Sequence, residues 1–123
     1  MKNRPLLAIA CVAWIAASSA SAEKKYDPGV TDTEIKVGHT NPYSGPASAY
    51  GTIGRSEAAY VKMINEQGGI NGRKINFISL DDAYSPPRTV EQVRKLVEEE
   101  QVLLLFQTLG TPSNSAIHKY TNA

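Results

Sequence analysis

Cysteine is nearly missing from this 123-residue sequence: Cys11 is the only one, and the stretch 23–123 has none. That stretch therefore has no disulfide, no zinc–cysteine site and no thiol nucleophile of its own. An excess of either charge is also missing. Lys and Arg number 13 against 12 Asp and Glu, a net charge of +1, and removing Lys2 and Arg4 from the count leaves −1 for the rest. Near-neutrality without a basic patch argues against nucleic acid or an anionic lipid surface as partner. No apolar run is long enough to span a bilayer: the longest, Leu6 to Ala17, has 12 residues, against roughly 20 needed.

Enzyme signatures are equally sparse. No GxGxxG follows a strand-like run, which removes the dinucleotide fingerprint. "GTIGRS" resembles a phosphate loop only superficially, because Ala49 stands five before Gly54 and Arg55 takes the place of the lysine. His39 and His118 have no Cys, His or acidic partner at ligand spacing, so both read as structural or surface residues. The sequence calls for no cofactor and no metal, and for no catalysis.

What is present begins with a leader. Lys2 and Arg4 precede the apolar run, and "SSASA" closes on Ala20-Ser21-Ala22. This is the layout of a cleavable secretory signal peptide over residues 1–22, which leaves 23–123 as the exported part and the periplasm as its expected location. Cys11 lacks a larger aliphatic residue three positions before it, where Ala8 stands, so a lipoprotein anchor is not expected.

Beyond a polar lead-in, apolar–polar alternation over Ile35 to Thr40 predicts a first strand and over Ile75 to Leu80 a second. Between them, Gly54, Ala58, Val61 and Ile64 give a helix over 51–67 one apolar face, closed by Gly68-Gly69 and followed by an Asn71-Gly72 turn. Ser85 before Pro86 predicts an N-cap and a first-turn proline for a second helix reaching Glu100, with Val90, Val93, Leu96 and Val97 facing inward. "VLLLF", 102–106, reads as a strand buried on both faces, and Ser113 as the cap of a third helix. The order β-α-β-α-β-α predicts an α/β fold, a doubly wound parallel sheet. Strands two and three then flank strand one, and the direction of winding reverses between strands one and three.

The loops leaving those two strands are unusual. "NPYSGPASAYG", 41–51, holds two prolines, two glycines and two tyrosines and no charge; "QTLGTPSN", 107–114, is also small and uncharged. Each enters a helix N-terminus, which suits a carboxylate. Tyr43 and Tyr50 can cover an apolar group, and Ser44, Thr108, Thr111 and Ser113 can donate hydrogen bonds without charge. Two readings compete: one lip of a ligand site, or ordinary βα connections with surface tyrosines. Asp81-Asp82 likewise admits a structural turn or, in a secreted enzyme, a Mg²⁺ site.

Taken together, "EIKVGHTNPYSGPASAYG", "AAYVKMINEQGGINGRKINFISLDDAYSPPRTVEQVRKLVEEE" and "VLLLFQTLGTPSNSAI" resemble the start of a type I periplasmic binding protein, of the group that binds branched-chain amino acids for ABC transporters. The resemblance implies a Rossmann-like first lobe, here partial, of a two-lobed fold that closes on a small molecule without altering it. It also implies a solute, an amino acid or another small carboxylate, and the membrane permease of an ABC transporter as partners. The aromatic residue of the first loop matches Tyr50. The backbone-plus-hydroxyl pair that holds a carboxylate falls at Gly110 and Thr111, beside Leu109. Gly110 departs from the family's hydroxyl residue, and "LGTPSN" looks more like relatives assigned to aromatic acids. Family members are several hundred residues long, so the chain is expected to be a fragment bearing half of the cleft. A ligand-sensing receptor domain of the same fold is the alternative.

Overall fold

The computed structural model describes residues 25–123; the expected leader lies outside them. Strand β1 spans Glu34–Asn41 and β2 spans Lys74–Asp81, each one residue longer at both ends than the alternation predicts. They pair in parallel from Glu34–Lys74 to Asn41–Asp81. A short third strand, β3 (Leu104–Leu105), lies parallel to β1 on its other side, giving the order β2-β1-β3. The reversal of winding therefore falls between β1 and β3, as expected from the element order.

Helix α1 (Gly51–Glu66) connects β1 to β2. It ends at Gly68 and Gly69, both at positive φ, with the Gly69 N–H donating to the Ile64 carbonyl at 2.9 Å. Asn71 and Gly72, with φ of 50° and 81°, then form the tight turn into β2. Helix α2 (Pro86–Arg94) returns towards β3, and α3 (Thr111–Thr121) packs against it. Val93 and Leu96 are fully buried and Ile117 nearly so, making the apolar core on this face of the sheet.

Five expectations need correction. The run 102–106 is not buried on both faces: Leu103, Leu104 and Phe106 are 40–46% exposed. Gln101 and Gln107 adopt left-handed backbone at either end, which limits the paired stretch, and no described strand lies beyond it. Ala58 on α1 is exposed although Gly54 beside it in the pattern is buried, because α1 stands off the sheet over a groove edged by Val61 and Phe77. Helix α2 stops at Arg94 and widens into a π-type turn over Lys95–Glu99, closed by the Glu100 N–H on the Lys95 carbonyl at 3.0 Å, which leaves Val97 exposed. Ser85 occupies the N-cap position ahead of Pro86, but its side chain makes no cap bond. Ser113 does not cap α3: Gly110 does, at φ 104°, and Ser113 is buried inside the first turn.

Candidate functional site

The buried polar side chains come from the end of β1, the turn after β2, and helices α2 and α3. His39, Thr40, Asn41, Asp82, Thr89 and Ser113 are all fully buried. Alternation puts Val37, His39 and Asn41 towards α1, and Gly38 and Thr40 towards α2. Gly38 is so placed that a Cβ would touch Leu96, Val102 and Leu105 at 3.0–3.2 Å.

The first lip, residues 42–50, is pinned from below. The Asp81 carboxylate accepts from the N–H of Tyr43 at 2.9 Å, of Ser44 at 3.1 Å and of Ala83 at 3.0 Å, and from the Ser44 hydroxyl at 2.5 Å. Burial alone would push this carboxyl up. The Ser44 hydroxyl and the three N–H groups outweigh it and hold the group below the usual carboxylate range. The Tyr43 side chain turns inward, its hydroxyl 2.5 Å from Ser79 Oγ, which lies 2.7 Å from His39 Nδ1. The amide of Asn41 donates to the carbonyl of Tyr50 at 3.3 Å. Tyr50 itself, in the 3₁₀ turn Ser48–Tyr50, is 56% exposed.

His39 is thus a core residue, stacked on Phe77 with ring centroids 5.2 Å apart. It does have an acidic neighbour, which sequence spacing does not reveal: Glu57 of α1, 3.1 Å from Nε2 but out of line for a hydrogen bond. Burial lowers the pKa of His39, against the opposing pull of the Gln107 backbone and the Asp82 charge. Burial raises that of Glu57.

The second lip is held in two ways. The Leu109 N–H donates to the Thr40 carbonyl at 3.3 Å. The Asn114 side chain accepts from the Thr108 hydroxyl at 2.6 Å and donates to the carbonyls of Thr108 and Gly110 at 2.8 and 2.9 Å. Of the four hydroxyls that qualify as donors in the sequence, Ser44 is engaged by Asp81, Thr108 by Asn114, and Ser113 lies 2.8 Å from Thr89 Oγ1. Among the described residues, the Thr111 hydroxyl alone of the four has no protein partner, and it is exposed at the start of α3. Leu109 and Gly110 beside it are half-buried.

Asp82 shares the structural role of Asp81. It accepts from the Tyr84 N–H at 3.0 Å and from the Thr89 hydroxyl at 2.8 Å. With both carboxylates so engaged, the turn reading accounts for the pair. Among the described residues no cluster of three His, Cys, Asp or Glu side chains is placed to hold a metal. Sequence reasoning missed Asn41, Ser79, Tyr84 and Asn114. One signal was available: Ile75, Phe77, Ser79 and Asp81 share a face of β2, which turns from apolar to polar at Ser79.

Comparison with known proteins agrees with this architecture. The family model described as periplasmic binding protein matches residues 34–123. The chain is 33% identical over 102 residues to the Leu/Ile/Val-binding protein of Escherichia coli K12, covering 80% of this chain and 24% of that protein. A fatty acid ABC transporter substrate-binding protein from Thermomonospora curvata superposes with a TM-score of 0.68 at 32% identity, over 78% of this chain and 24% of that one. The solute-binding protein of an ABC transporter from Rhodopseudomonas palustris BisB5, solved with 3,4-dihydroxybenzoic acid, gives a TM-score of 0.60 at 26% identity, over 72% and 24%. The chain spans about a quarter of the length of each of these relatives.

Proposed function

The chain belongs to the type I periplasmic binding proteins, and on that premise we propose that it contributes one side of a solute site in an ABC-transporter binding protein. The solute is a small carboxylate: an amino acid or a related acid, aromatic acids included. The protein captures it outside the cytoplasm, changes no bond in it, and passes it to a membrane permease. The leader-like layout of residues 1–22 supports export, and residues 23–123 form part of the N-terminal lobe.

The observation that carries the ligand class is the state of the hydroxyls. Three of the four candidates are engaged within the protein, while Thr111 remains open at the N-terminus of α3, next to Gly110, a residue without a side chain. Such an end presents N–H groups and a partial positive charge to a carboxylate. Tyr50, exposed on the opposite lip, supplies apolar cover. The relatives support the class from outside, since one is named for leucine, isoleucine and valine and another holds an aromatic acid.

An NMR titration of the ¹⁵N-labelled chain tests this. L-leucine and 3,4-dihydroxybenzoate are expected to shift the amides of Tyr50, Gly110 and Thr111, whereas isoamylamine, which lacks the carboxylate, leaves them in place. Equal shifts with isoamylamine, or none with either acid, would remove the carboxylate site.

A further inference from the structure

The "DDAY" turn after β2 has no place in the function proposed above, yet it touches both lips. A Cβ added to Gly45, in the first lip, would lie 3.2 Å from the Ala83 carbonyl oxygen and 3.4 Å from its Cβ. A Cβ added to Gly110, in the second, would lie 2.6–3.3 Å from three ring carbons of Tyr84. The Tyr84 ring thus fills the space that a side chain at position 110 would need.

Ala83 and Tyr84 reach this position on backbone that L-residues avoid, with φ of 50° and 59°. Such pairs persist only where surroundings over-determine them. Here the Asp81 carboxylate takes the Ala83 N–H and the Asp82 carboxylate takes the Tyr84 N–H, both at 3.0 Å. Asp82 is itself fully buried and anchored by Thr89. Tyr84 remains 37% exposed.

We propose that Tyr84 is a specificity-determining residue of the solute site, an aromatic wall beside Gly110 and Thr111 that favours carboxylates carried on a flat ring over aliphatic amino acids. This rests on the carboxylate reading above. A side chain at 110 would offer a planar solute a rotatable group; the ring offers a fixed face on which it can stack. Aromatic pairs of this kind gain about 0.5–1.5 kcal/mol beyond burial, equivalent to roughly 2- to 12-fold in affinity.

The test measures dissociation constants for 3,4-dihydroxybenzoate and L-leucine by NMR titration of the wild-type chain and of Tyr84→Leu, Tyr84→Phe and Tyr84→Trp. Tyr84→Leu is expected to weaken dihydroxybenzoate about five- to tenfold and leucine less than twofold, while Phe and Trp keep the wild-type preference. A thermal melt of each variant separates loss of the wall from loss of the fold. If Tyr84→Leu weakens both solutes equally, or changes neither, the specificity role falls and the carboxylate site stands. If the wild type binds neither acid, both fall together.

Discussion

Replacing Gly54 by alanine sets two effects against each other, and the structure decides which wins. In the interior of a helix the exchange usually stabilises by about 0.5–1 kcal/mol, because glycine loses more backbone freedom on folding. Gly54 is buried where α1 meets β1. A Cβ there would overlap the Tyr43 hydroxyl and come within 2.9 Å of its Cζ and 3.1 Å of His39 Cε1. Neither neighbour yields easily, since Tyr43 and His39 converge on Ser79 Oγ at 2.5 and 2.7 Å and His39 is stacked on Phe77. Overpacking costs about 1–3 kcal/mol, and separating the half-buried Tyr43–Ser79 pair forfeits a hydrogen bond worth about 0.5–1.5 kcal/mol more. Net of the helix gain, Gly54→Ala is expected to destabilise by about 0.5–4 kcal/mol. In urea unfolding the midpoint should fall by up to roughly 2 M at a slope typical of a small domain. Tyr43→Phe in the Gly54→Ala background removes the clashing oxygen and should recover at least about 1 kcal/mol relative to additivity. A midpoint that rises, or two strictly additive substitutions, would show that Tyr43 does not point inward at Gly54.

Two further outcomes test the polar layer. Burial lowers the pKa of His39 in the folded protein, so the unfolded chain takes up the proton first; this term of stability is whole above about pH 6.5 and is lost as pH falls below it. Its slope is at most about 1.4 kcal/mol per pH unit. Glu57 is shifted the other way and Asp82 adds its charge, so the decisive comparison is between wild type and His39→Gln by urea unfolding from pH 7.5 to 5.5. The variant should show the flatter profile, and identical profiles would place His39 in contact with water. Asp81→Ala should release the lip: the Tyr43 and Ser44 amides are expected to exchange with solvent about tenfold faster or more, with about 1–2 kcal/mol lost globally. In the wild type that contribution holds above about pH 3.9 and disappears as acid protonates the folded carboxyl. Unchanged exchange rates would show that the lip is held elsewhere.

The sheet order and its switch point were legible because they rest on local patterns. Alternation marks β1 and β2, Gly68-Gly69 and Asn71-Gly72 punctuate the chain between them, and right-handed crossovers leave one winding. The pinning of the lips was not legible, because it depends on register. Only when His39 pairs opposite Ser79, and Asn41 opposite Asp81, do these side chains meet the Tyr43 loop. The same holds for Ser113, whose composition suits a cap but whose hydroxyl meets Thr89 of α2 once Gly110 begins the helix. "VLLLF" misled for a different reason. A solid apolar run says that a strand belongs inside a sheet, and says nothing of how much of its surroundings the described residues supply.

Burial is distributed unevenly in this chain, and the asymmetry bears on the site. The face towards α2 and α3 closes over Val93, Leu96 and Ile117. The face towards α1 keeps a groove of about 470 Å³ between Val37, Ile75, Phe77 and Leu104 of the sheet, Phe106 just after β3, and Tyr60 and Val61 of the helix. Apolar burial is therefore thin. Alongside Val93, Leu96 and Pro42, the fully buried side chains are polar and gather towards the lip end of the sheet: His39, Thr40, Asn41, Asp82, Thr89 and Ser113. Hydrogen bonds are directional where apolar contacts are not, so a polar layer fixes positions more than it adds stability. Asp81, Ser79 and Asn41 fix the first lip, the Thr40 backbone carbonyl and the Asn114 side chain the second, and Asp82 the turn between them. On the proposed reading, the geometry of the lips is thus set by groups other than Tyr50, Tyr84 and Thr111. Substitutions in that layer should disturb binding through the spacing of Tyr50, Tyr84 and Thr111, before any of those three is itself altered.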